Sequence, residues 1–293
     1  MPRVSFRSVP ICLSVAGLDP SGGAGILADV KTFSALGCYG ASVATALTVQ
    51  NTMGVQAVHP VASDVLEAQL EAVFSDFEVV HVKIGMVATP ENVQVVLRVL
   101  ERHASHVPSV VYDPVMASTD GTCLMVPSSL SLLREELFPR CTLVTPNIPE
   151  ACRLWGCREE IRTPFDVIRW LVPRCRPVAG ESYLLKGGHL SVGRDAVVTD
   201  LLVTPEGVHP YSGPLVETRN THGTGCTLSS AVTAFLASGH VLPDAVRRAK
   251  QYLTAALKAG RGCRWGHGHG SVNHFFHPLP LCENDGREDV LTV

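Results

Sequence analysis

The sequence predicts a single α/β domain in which a mainly parallel sheet lies between layers of helices. Short apolar runs alternate along the chain with segments whose apolar residues recur at three- and four-residue intervals, as in amphipathic helices. Glycines and polar residues follow several apolar runs directly, where open α/β sheets bind their ligands. Together the two patterns favour a ligand site along one edge of the sheet.

The elements can be assigned in chain order. Residues 9–18 follow Arg3 and Arg7 and imitate a short secretory signal, but a glycine-rich turn and a helix starting near Gly23 come next, so a buried first strand is predicted. A hairpin is expected around Pro205 and Gly207. The predicted strands are 11–16, 42–50, 79–84, 109–112, 142–145, 183–185 and 196–203, and the predicted helices after the first are 66–77, 92–103, 224–238 and 243–259.

One domain accounts for the length of the chain. Its 293 residues fall within the range of a single α/β domain, and they contain no internal repeat or low-complexity linker. We expect the domain to span residues 9–278. Residues 1–8 and 279–293 are predicted to be mobile, because the chain turns acidic and loses periodicity beyond Pro278.

Composition limits the partners and the compartment. A net charge of -3 with 17% charged residues gives no basic field for nucleic acid and no polybasic segment for a membrane surface. No apolar run is long enough to span a bilayer. The 10 cysteines include no CxxC pair, which favours reduced thiols and a cytoplasmic protein that binds small molecules.

The segment NTHGTGCTLSSA, residues 220–231, is typical of an anion-binding loop at a helix start. Gly223, Thr224 and Gly225 can direct backbone N–H groups at an anion, and the following helix adds the positive end of its dipole. A glycine turn capped by Thr224 is an equally good interpretation of the loop alone. Cys226 places a thiol where a carboxylate or a lysine would be expected.

Two carboxylates and one lysine follow other predicted strands. Asp113 and Glu150 suit a magnesium ion, which takes few protein ligands and keeps water and phosphate oxygens. Either could instead cap a helix or pair with a lysine. Lys186 could neutralise a phosphate or extend its charge to solvent from a strand end.

Two further patterns are weak. Residues 23–28 match GxGxxA, but no acidic residue follows at the distance that a dinucleotide site needs, so a glycine-lined substrate pocket is preferred. The histidines of GHGHGSVNHFFH match no common zinc spacing, and a solvated loop is preferred.

Six motifs in order resemble the hydroxymethylpyrimidine/phosphomethylpyrimidine kinases of thiamine biosynthesis, which belong to the ribokinase-like superfamily. They are AGLDPSGGAG (16–25), TA with QNT (45–52), KIGM (83–86), DPVM (113–116), TPN with Glu150 (145–150) and THGTGCT (221–227). The resemblance covers residues 11–276 and implies a three-layer α/β/α fold without a separate lid domain.

The resemblance also implies an activity and site residues. The activity is ATP- and Mg2+-dependent phosphorylation of 4-amino-5-hydroxymethyl-2-methylpyrimidine and then of its monophosphate, by a homodimer. Gln50 would bind the aminopyrimidine edge and Met86 would pack on the ring. The implied substrate contacts are Asp29, Gln50, Met86, Gly17 and Ala24; the implied ATP contacts are Lys186, Asn147 and Thr221; the implied metal ligands are Asp113 and Glu150; and the implied catalytic group is Gly223, Thr224, Gly225 and Cys226.

The role of Cys226 stays open between a proton acceptor and a positioning group. A helix N-terminus lowers the pKa of a thiol, so we expect a thiolate near neutral pH, although phosphates nearby would oppose it. Phosphoryl transfer needs little base assistance at its start, which allows a positioning role.

Two other functions compete with the pyrimidine kinase. A pyridoxal kinase, or a dual kinase for both compounds, would use a similar pocket for a flat hydroxymethyl heteroaromatic, but would add only one phosphate to pyridoxal. A regulator that has lost catalysis is disfavoured because Asp113, Glu150, Lys186 and the glycine loop are all present.

Overall fold

The computed structural model describes residues 9–77, 81–118, 121–122, 124–125, 129–175, 177, 180–188, 190 and 197–280. Within these residues the strands are β1 (Ile11–Leu18), β2 (Tyr39–Asn51), β3 (Gly54–Pro60), β4 (His81–Ile84), β5 (Ser109–Tyr112), β6 (Leu143–Val144), β7 (Ser182–Leu185), β8 (Val197–Thr204) and β9 (Gly207–Pro214). They form one sheet in the order β3-β2-β1-β4-β5-β6-β7-β8-β9. The pairings from β2 to β7 are parallel, and those of β3, β8 and β9 are antiparallel.

Helices connect the strands and cover the sheet. They are α1 (Gly25–Ala35), α2 (Ser63–Asp76), α3 (Pro90–Arg102), α4 (Ser129–Leu132), α5 (Ile148–Trp155), α6 (Pro164–Asp166), α7 (Thr224–Ala237) and α8 (Leu242–Gly260). Local sequence explains several helix starts. In α3, for example, the Thr89 side chain accepts a hydrogen bond from the backbone N–H of Asn92, and Pro90 fills the first turn, where it loses no helical bond.

Strand alternation separates the core into two layers. In β5, Val111 packs with α1, α7 and α8 through residues such as Phe33, Leu228 and Tyr252. Its neighbours on the strand face the opposite layer, which includes α2, α3 and α5. Because successive side chains of a strand point to opposite faces, an unbroken apolar run can bury both faces of the sheet. The predicted three-layer α/β/α fold is confirmed.

The predicted strands and long helices are present, and one strand was missed. The hairpin at Pro205 and Gly207 joins β8 to β9. The unpredicted strand is β3, whose sequence GVQAVHP lacks a strong apolar pattern because it lies at the sheet edge and no residue in it is fully buried. The predicted strand starts at Val79 and Ala196 lie outside the described residues.

The β2–β3 hairpin is the feature that shapes the edge of the site. No strand lies between β1 and α1, as the sequence predicted. Instead β2 runs for 13 residues and turns back at Thr52 and Met53, so its end carries Gln50 past the neighbouring strand ends. This hairpin is continuous with the main sheet and does not form a separate lid domain.

Contacts with the domain extend slightly beyond the predicted boundary at residue 278. The backbone N–H of Leu279 donates to the carbonyl of Ala35 at 2.9 Å. Residues 1–8 and 281–293 of the predicted mobile tails lie outside the described residues.

Candidate active site

A cavity of about 530 Å3 lies beyond the carboxyl ends of the parallel strands. Most of the residues that the sequence singled out line it. These are Gly17, Ala24, Gln50, Met86, Asp113, Asn147, Glu150, Lys186, Thr221, Gly223, Thr224, Gly225 and Cys226. Parallel strands point their carboxyl ends the same way, so residues distant in sequence meet at this edge.

The glycine loop brings backbone N–H groups to the start of α7. Gly223 is the N-cap residue with a φ of 76°, a conformation that suits glycine. A Cβ at this position would also collide with the carbonyl oxygen of Gly23. No side chain caps the helix, so the alternative of a turn capped by Thr224 is wrong. The backbone N–H groups of the first turn of α7 therefore lie at the cavity, and no side chain caps them.

Asp113 and Lys186 form an ion pair beside this loop. Lys186 Nζ donates to Asp113 Oδ1 at 2.7 Å, and the Thr145 hydroxyl donates to the same oxygen at 3.1 Å. Burial lowers the pKa of Lys186, but the charges of Asp113 and Glu150 outweigh it and raise the pKa above 10.5. A Cβ on Gly225 would lie 3.1 Å from Lys186 Nζ and 3.2 Å from Asp113 Oδ2. Glycine at 225 thus lets the charged pair approach the helix start.

Glu150 and Asn147 have a structural role as well as a place in the cavity. The Asn147 side chain accepts from the Glu150 N–H, and the Glu150 carboxylate accepts from the Asn147 N–H, each at 2.8 Å. This is a capping box at the start of α5. Burial raises the pKa of Glu150 above 4.5, and the charge of Asp113 adds to the rise while Lys186 opposes it. Glu150 therefore caps α5 and also lines the cavity, and its role as a metal ligand stays a prediction.

Gly17, Met86 and Gln50 line the end of the cavity next to the β2–β3 hairpin. A Cβ on Gly17 would collide with the Met86 methyl group. The backbone of Met86 is fixed by the Thr45 hydroxyl, which donates to its carbonyl at 2.6 Å. The thioether therefore lies over a glycine floor, an arrangement that suits a flat ring.

The structure corrects the assignment of Asp29 to the substrate pocket. Asp29 does not line the cavity and is fully buried. Its two oxygens accept hydrogen bonds from Lys83 Nζ, Ser14 Oγ and Ser230 Oγ at 2.6 to 2.9 Å. Because these bonds saturate the carboxylate, Asp29 joins β1, β4 and α7 beneath the site and does not reach a ligand.

The structure also corrects the expected acidity of Cys226. The thiol lines the cavity, yet only 9% of the residue is exposed. Burial raises its pKa from 9.0 to about 11, although the charge of Lys83 and a hydrogen bond from the Gly25 backbone lower it. The start of α7 does not compensate for the loss of water, so Cys226 is a neutral thiol near pH 7.

Four ionisable residues of the cavity were not assigned a role from the sequence. Asp19 accepts from His222 Nε2 at 2.7 Å, and Asp200 accepts from Lys250 Nζ at 2.6 Å. Asp19 and His222 lie inside two of the quoted motifs, and that position could have drawn attention to them. Asp200 and Lys250 are 50 residues apart, and no local pattern links them.

Apolar side chains line the cavity near Lys250 and Asp200. They are Val198, Pro214, Leu215, Val216, Leu253 and Leu257. The cavity thus has a polar centre between two apolar ends, one at Met86 and one here. Such a shape suits two flat ligands whose charged groups meet in the middle.

The histidine-rich segment packs against the site. The backbone N–H of His269 donates to the carbonyl of Thr52 at 2.9 Å, and the backbone N–H of His222 donates to the carbonyl of Gly270 at 3.0 Å. We call residues 266–270 the glycine strap. It connects the tip of the β2–β3 hairpin to the glycine loop. His267 and His269 in it are exposed, as expected for a solvated loop, although its backbone is hydrogen-bonded at both ends. In the part of the chain that the structure describes, no cluster of three metal-binding side chains occurs, and no helix is long and apolar enough to cross a bilayer.

The chain is similar to known proteins in both sequence and fold. A sequence model of the family described as phosphomethylpyrimidine kinase matches residues 19–273. A Salmonella typhimurium protein named hydroxymethylpyrimidine/phosphomethylpyrimidine kinase is 46% identical over 267 residues, which cover 90% of this chain and 96% of the relative.

Solved structures show the same fold. A pyridoxal kinase of Bacillus subtilis, in an ADP complex, superimposes with a TM-score of 0.81 and 32% identity over 91% of this chain and 98% of its own. A phosphomethylpyrimidine kinase of Clostridium difficile superimposes with a TM-score of 0.69 and 38% identity over 85% of this chain and 99% of its own.

Proposed function

The chain belongs to the phosphomethylpyrimidine kinase family, and on this premise we propose that it phosphorylates 4-amino-5-hydroxymethyl-2-methylpyrimidine and then its monophosphate with ATP. The observation that carries the proposal is the arrangement of one cavity. A pocket for a flat ring, at Met86 and Gln50, opens directly onto the glycine loop and the Asp113–Lys186 pair. A hydroxymethyl group on that ring would lie next to an anion-binding loop.

The nucleotide belongs at the opposite end of the cavity. The apolar side chains around Leu215 and Leu253 suit an adenine ring, and Lys250 and Lys186 suit its phosphates. With the nucleotide bound in this way, its γ-phosphoryl group would lie near Gly223 and Gly225. The ADP complex of the Bacillus subtilis relative supports nucleotide binding by this fold.

The residues present fit a magnesium ion. Asp113 and Glu150 both line the cavity, and they lie close enough that the charge of Asp113 adds to the rise that burial causes in the pKa of Glu150, while Lys186 opposes it. Magnesium binds through one or two carboxylates together with phosphate oxygens. When bound it would supply charge neutralisation to the phosphates, and Asp113 and Glu150 would hold it.

The protein groups act mainly by position and charge. The hydroxymethyl oxygen forms a bond to the γ-phosphorus while the bond from that phosphorus to the bridging oxygen of ADP breaks. Lys186 and the N–H groups of the glycine loop stabilise the charge on the transferring group. With a pKa of about 11, Cys226 holds its own proton near pH 7 and cannot accept another. We therefore assign it a positioning role, and the hydroxyl proton leaves to a phosphate oxygen or to solvent.

We further propose that a homodimer acts in the cytoplasm. Leu47, Val49 and Met53 on the β2–β3 hairpin are 48%, 45% and 66% exposed, and such neighbouring apolar side chains favour burial against a second copy. Val49→Asp should shift the mass seen by light scattering from dimer to monomer, and a parent that is monomeric would contradict the dimer. The eight cysteines among the described residues are free, which supports a reducing compartment.

The activity is tested by incubating the purified chain with ATP, Mg2+ and the hydroxymethylpyrimidine. Mass spectrometry should show the monophosphate first and the diphosphate later. Pyridoxal is the second substrate to test, because the Bacillus subtilis pyridoxal kinase shares the fold with a TM-score of 0.81. Phosphorylation of pyridoxal alone would overturn the assignment, and phosphorylation of both would show a dual kinase.

A further inference from the structure

The hydrogen bonds around Asp19 show which ring nitrogen of His222 carries a hydrogen. Asp19 is 4% exposed, and its Oδ2 atom accepts from Ser21 Oγ at 2.9 Å, Ala24 N at 3.0 Å and His222 Nε2 at 2.7 Å. Burial raises the pKa of Asp19, but the hydrogen bonds from His222 and Ser21 outweigh it and bring the pKa below 3.8. An ionised carboxylate only accepts hydrogen bonds. His222 Nε2 therefore carries a hydrogen, and this N–H donates a hydrogen bond to Asp19.

This proton fixes the orientation of the Gln50 amide. His222 Nε2 lies 3.3 Å from the Gln50 atom placed as nitrogen, but two N–H groups cannot donate to each other. On the other side, the Thr48 hydroxyl has one hydrogen and two acceptors, Leu18 O at 3.0 Å and the Gln50 atom placed as oxygen at 3.1 Å. A half turn of the amide places its oxygen beside the Nε2–H of His222, whose one hydrogen is donated at shorter range to Asp19 and is shared with Gln50 in a three-centre bond. The amide nitrogen then donates to Thr48, which donates to Leu18.

We propose that His222 is a positioning residue for substrate recognition. His222 fixes the orientation of the Gln50 amide, and the oriented amide selects a ring that carries an amino group next to a ring nitrogen. After its bonds to His222 and Thr48, the amide keeps one N–H and one oxygen lone pair. The ring nitrogen would accept from that N–H, and the amino group would donate to that oxygen. This inference rests on the proposed function and extends it, because pyridoxal has no amino group to complete the pair.

The position of His222 in the chain gives this contact a second consequence. His222 immediately precedes Gly223, and its ring packs so close to Gly23 that a Cβ there would collide with it. The group that orients Gln50 is thus part of the loop that would bind the transferring phosphoryl group. Ring recognition and phosphate binding are coupled through one residue.

The first test uses kinetics on the full chain. His222→Leu removes the donor, whereas His222→Gln keeps an N–H at nearly the place of Nε2. We expect His222→Leu to raise the KM for the aminopyrimidine by roughly tenfold, the effect of about one lost hydrogen bond, with a much smaller change in the KM for ATP. His222→Gln should recover most of the loss. Equal rises in both KM values, or no recovery by His222→Gln, would overturn the proposal.

A double-mutant cycle tests whether His222 acts through Gln50. In a Gln50→Ala background, His222→Leu should add little to the KM, because the side chain that it orients is gone. The second substrate is 5-hydroxymethyl-2-methylpyrimidine, which lacks the 4-amino group. The ratio of its KM to the KM of the aminopyrimidine should be smaller in His222→Leu than in the parent. Additive effects, or unchanged discrimination, would contradict the idea. Should His222→Leu fail to fold, His222→Asn replaces it, because its N–H falls short of Gln50.

A measurement on the ligand-free parent separates this inference from the proposed function. In a sample with 15N-labelled glutamine, the Gln50 amide protons should show nuclear Overhauser effects to the Thr48 methyl group. Effects to the His222 ring protons in their place would show the opposite orientation and overturn the proposal even in an active kinase. The expected effects in a chain that does not phosphorylate the pyrimidine would refute the function and leave the geometry intact.

Discussion

Cys226 shows how the environment of one residue decides its chemistry. A thiol at a helix start has the partners of a reactive nucleophile, but desolvation dominates here. A pKa of about 11 leaves roughly one thiol in 10⁴ ionised at pH 7, since each pH unit changes the ratio tenfold. This ratio supports the positioning role that we propose for Cys226.

We predict that iodoacetamide alkylates Cys226 slowly at pH 7, and that the rate rises steadily up to about pH 10 without a plateau, because only the thiolate reacts. Peptide mass spectrometry at each pH would measure it, with ATP present as a protection control. Cys226→Ser should keep turnover within about tenfold of the parent, below the usual contribution of a general base. A plateau below pH 8, together with a large loss in Cys226→Ser, would restore the proton-acceptor role.

The two cavity carboxylates should respond differently to neutralisation. Asp113→Asn removes the ion-pair partner of Lys186, whose side chain is 14% exposed and is also stabilised by Glu150, so we expect a loss of stability below the roughly 3 to 5 kcal/mol of a broken, fully buried ion pair. Glu150→Gln keeps the capping box, because glutamine also accepts from the Asn147 N–H, so its unfolding temperature should stay near the parent value. Both changes should lower turnover by about 10²- to 10³-fold.

Asp166→Asn provides the matched control for Glu150→Gln. It neutralises the acid of the other capping box, at the start of α6, which does not line the cavity. Turnover of this variant should match the parent. A Glu150→Gln protein with parental turnover would mean that Glu150 only caps α5.

At the scale of the element, the glycine strap holds the β2–β3 hairpin against the glycine loop. A Cβ on Gly268 would collide with the carbonyl oxygen of Thr52, and a Cβ on Gly270 would collide with the Asn220 side chain. Asn220 in turn donates to the carbonyls of Gly260 and Cys263 at 2.6 and 2.8 Å. The strap therefore sets the distance between Gln50 and the loop residues.

Gly268→Ala should move the hairpin tip away from the cavity. We expect a rise in the KM for the pyrimidine and a loss of about 1 to 3 kcal/mol of stability, as for other overpacked positions. Gly262→Ala is the control within the same region, since a Cβ there meets no atom within 4 Å. Steady-state kinetics and urea unfolding would measure both. Identical behaviour of the two variants would show that the strap does not position the hairpin.

At the scale of the whole molecule, two buried histidines make stability depend on pH. Burial lowers the pKa of His81 and of His274 from 6.5 to about 4. Between these values the unfolded chain binds more protons than the folded chain, so stability is lost as the pH falls from 6.5 towards 4. Each histidine contributes a slope of up to about 1.4 kcal/mol per pH unit.

Urea unfolding at pH 7.5, 6.0 and 5.0 would measure this slope. The double variant His81→Gln/His274→Gln should have a flatter profile in this window, because neither side chain titrates. The carboxylates Asp19 and Asp244, whose pKa values are below 3.8, act mainly at lower pH. An equal slope in parent and variant would mean that other groups control acid stability.

The sequence alone determined the layers of the fold and the edge that carries the site. Apolar runs and helical periodicity are local properties, so β1, β5, α3 and α7 could be predicted from neighbouring residues. The motifs after the strands located Gln50, Asp113, Glu150, Lys186 and the loop 223–226 for a related reason, since every parallel strand ends at the same edge. The edge strand β3 has no such pattern and was missed.

Only the tertiary structure decided how those residues are used. Asp29 and Gln50 are both polar residues near a predicted site, yet one is saturated beneath the sheet and the other faces the cavity. The Asp19–His222–Gln50 contacts join residues up to 203 positions apart, and the Lys250–Asp200 pair joins two elements that no motif connects. Burial and long-range contacts set the pKa of Cys226 and the orientation of Gln50, because both depend on atoms that meet only when the chain has folded.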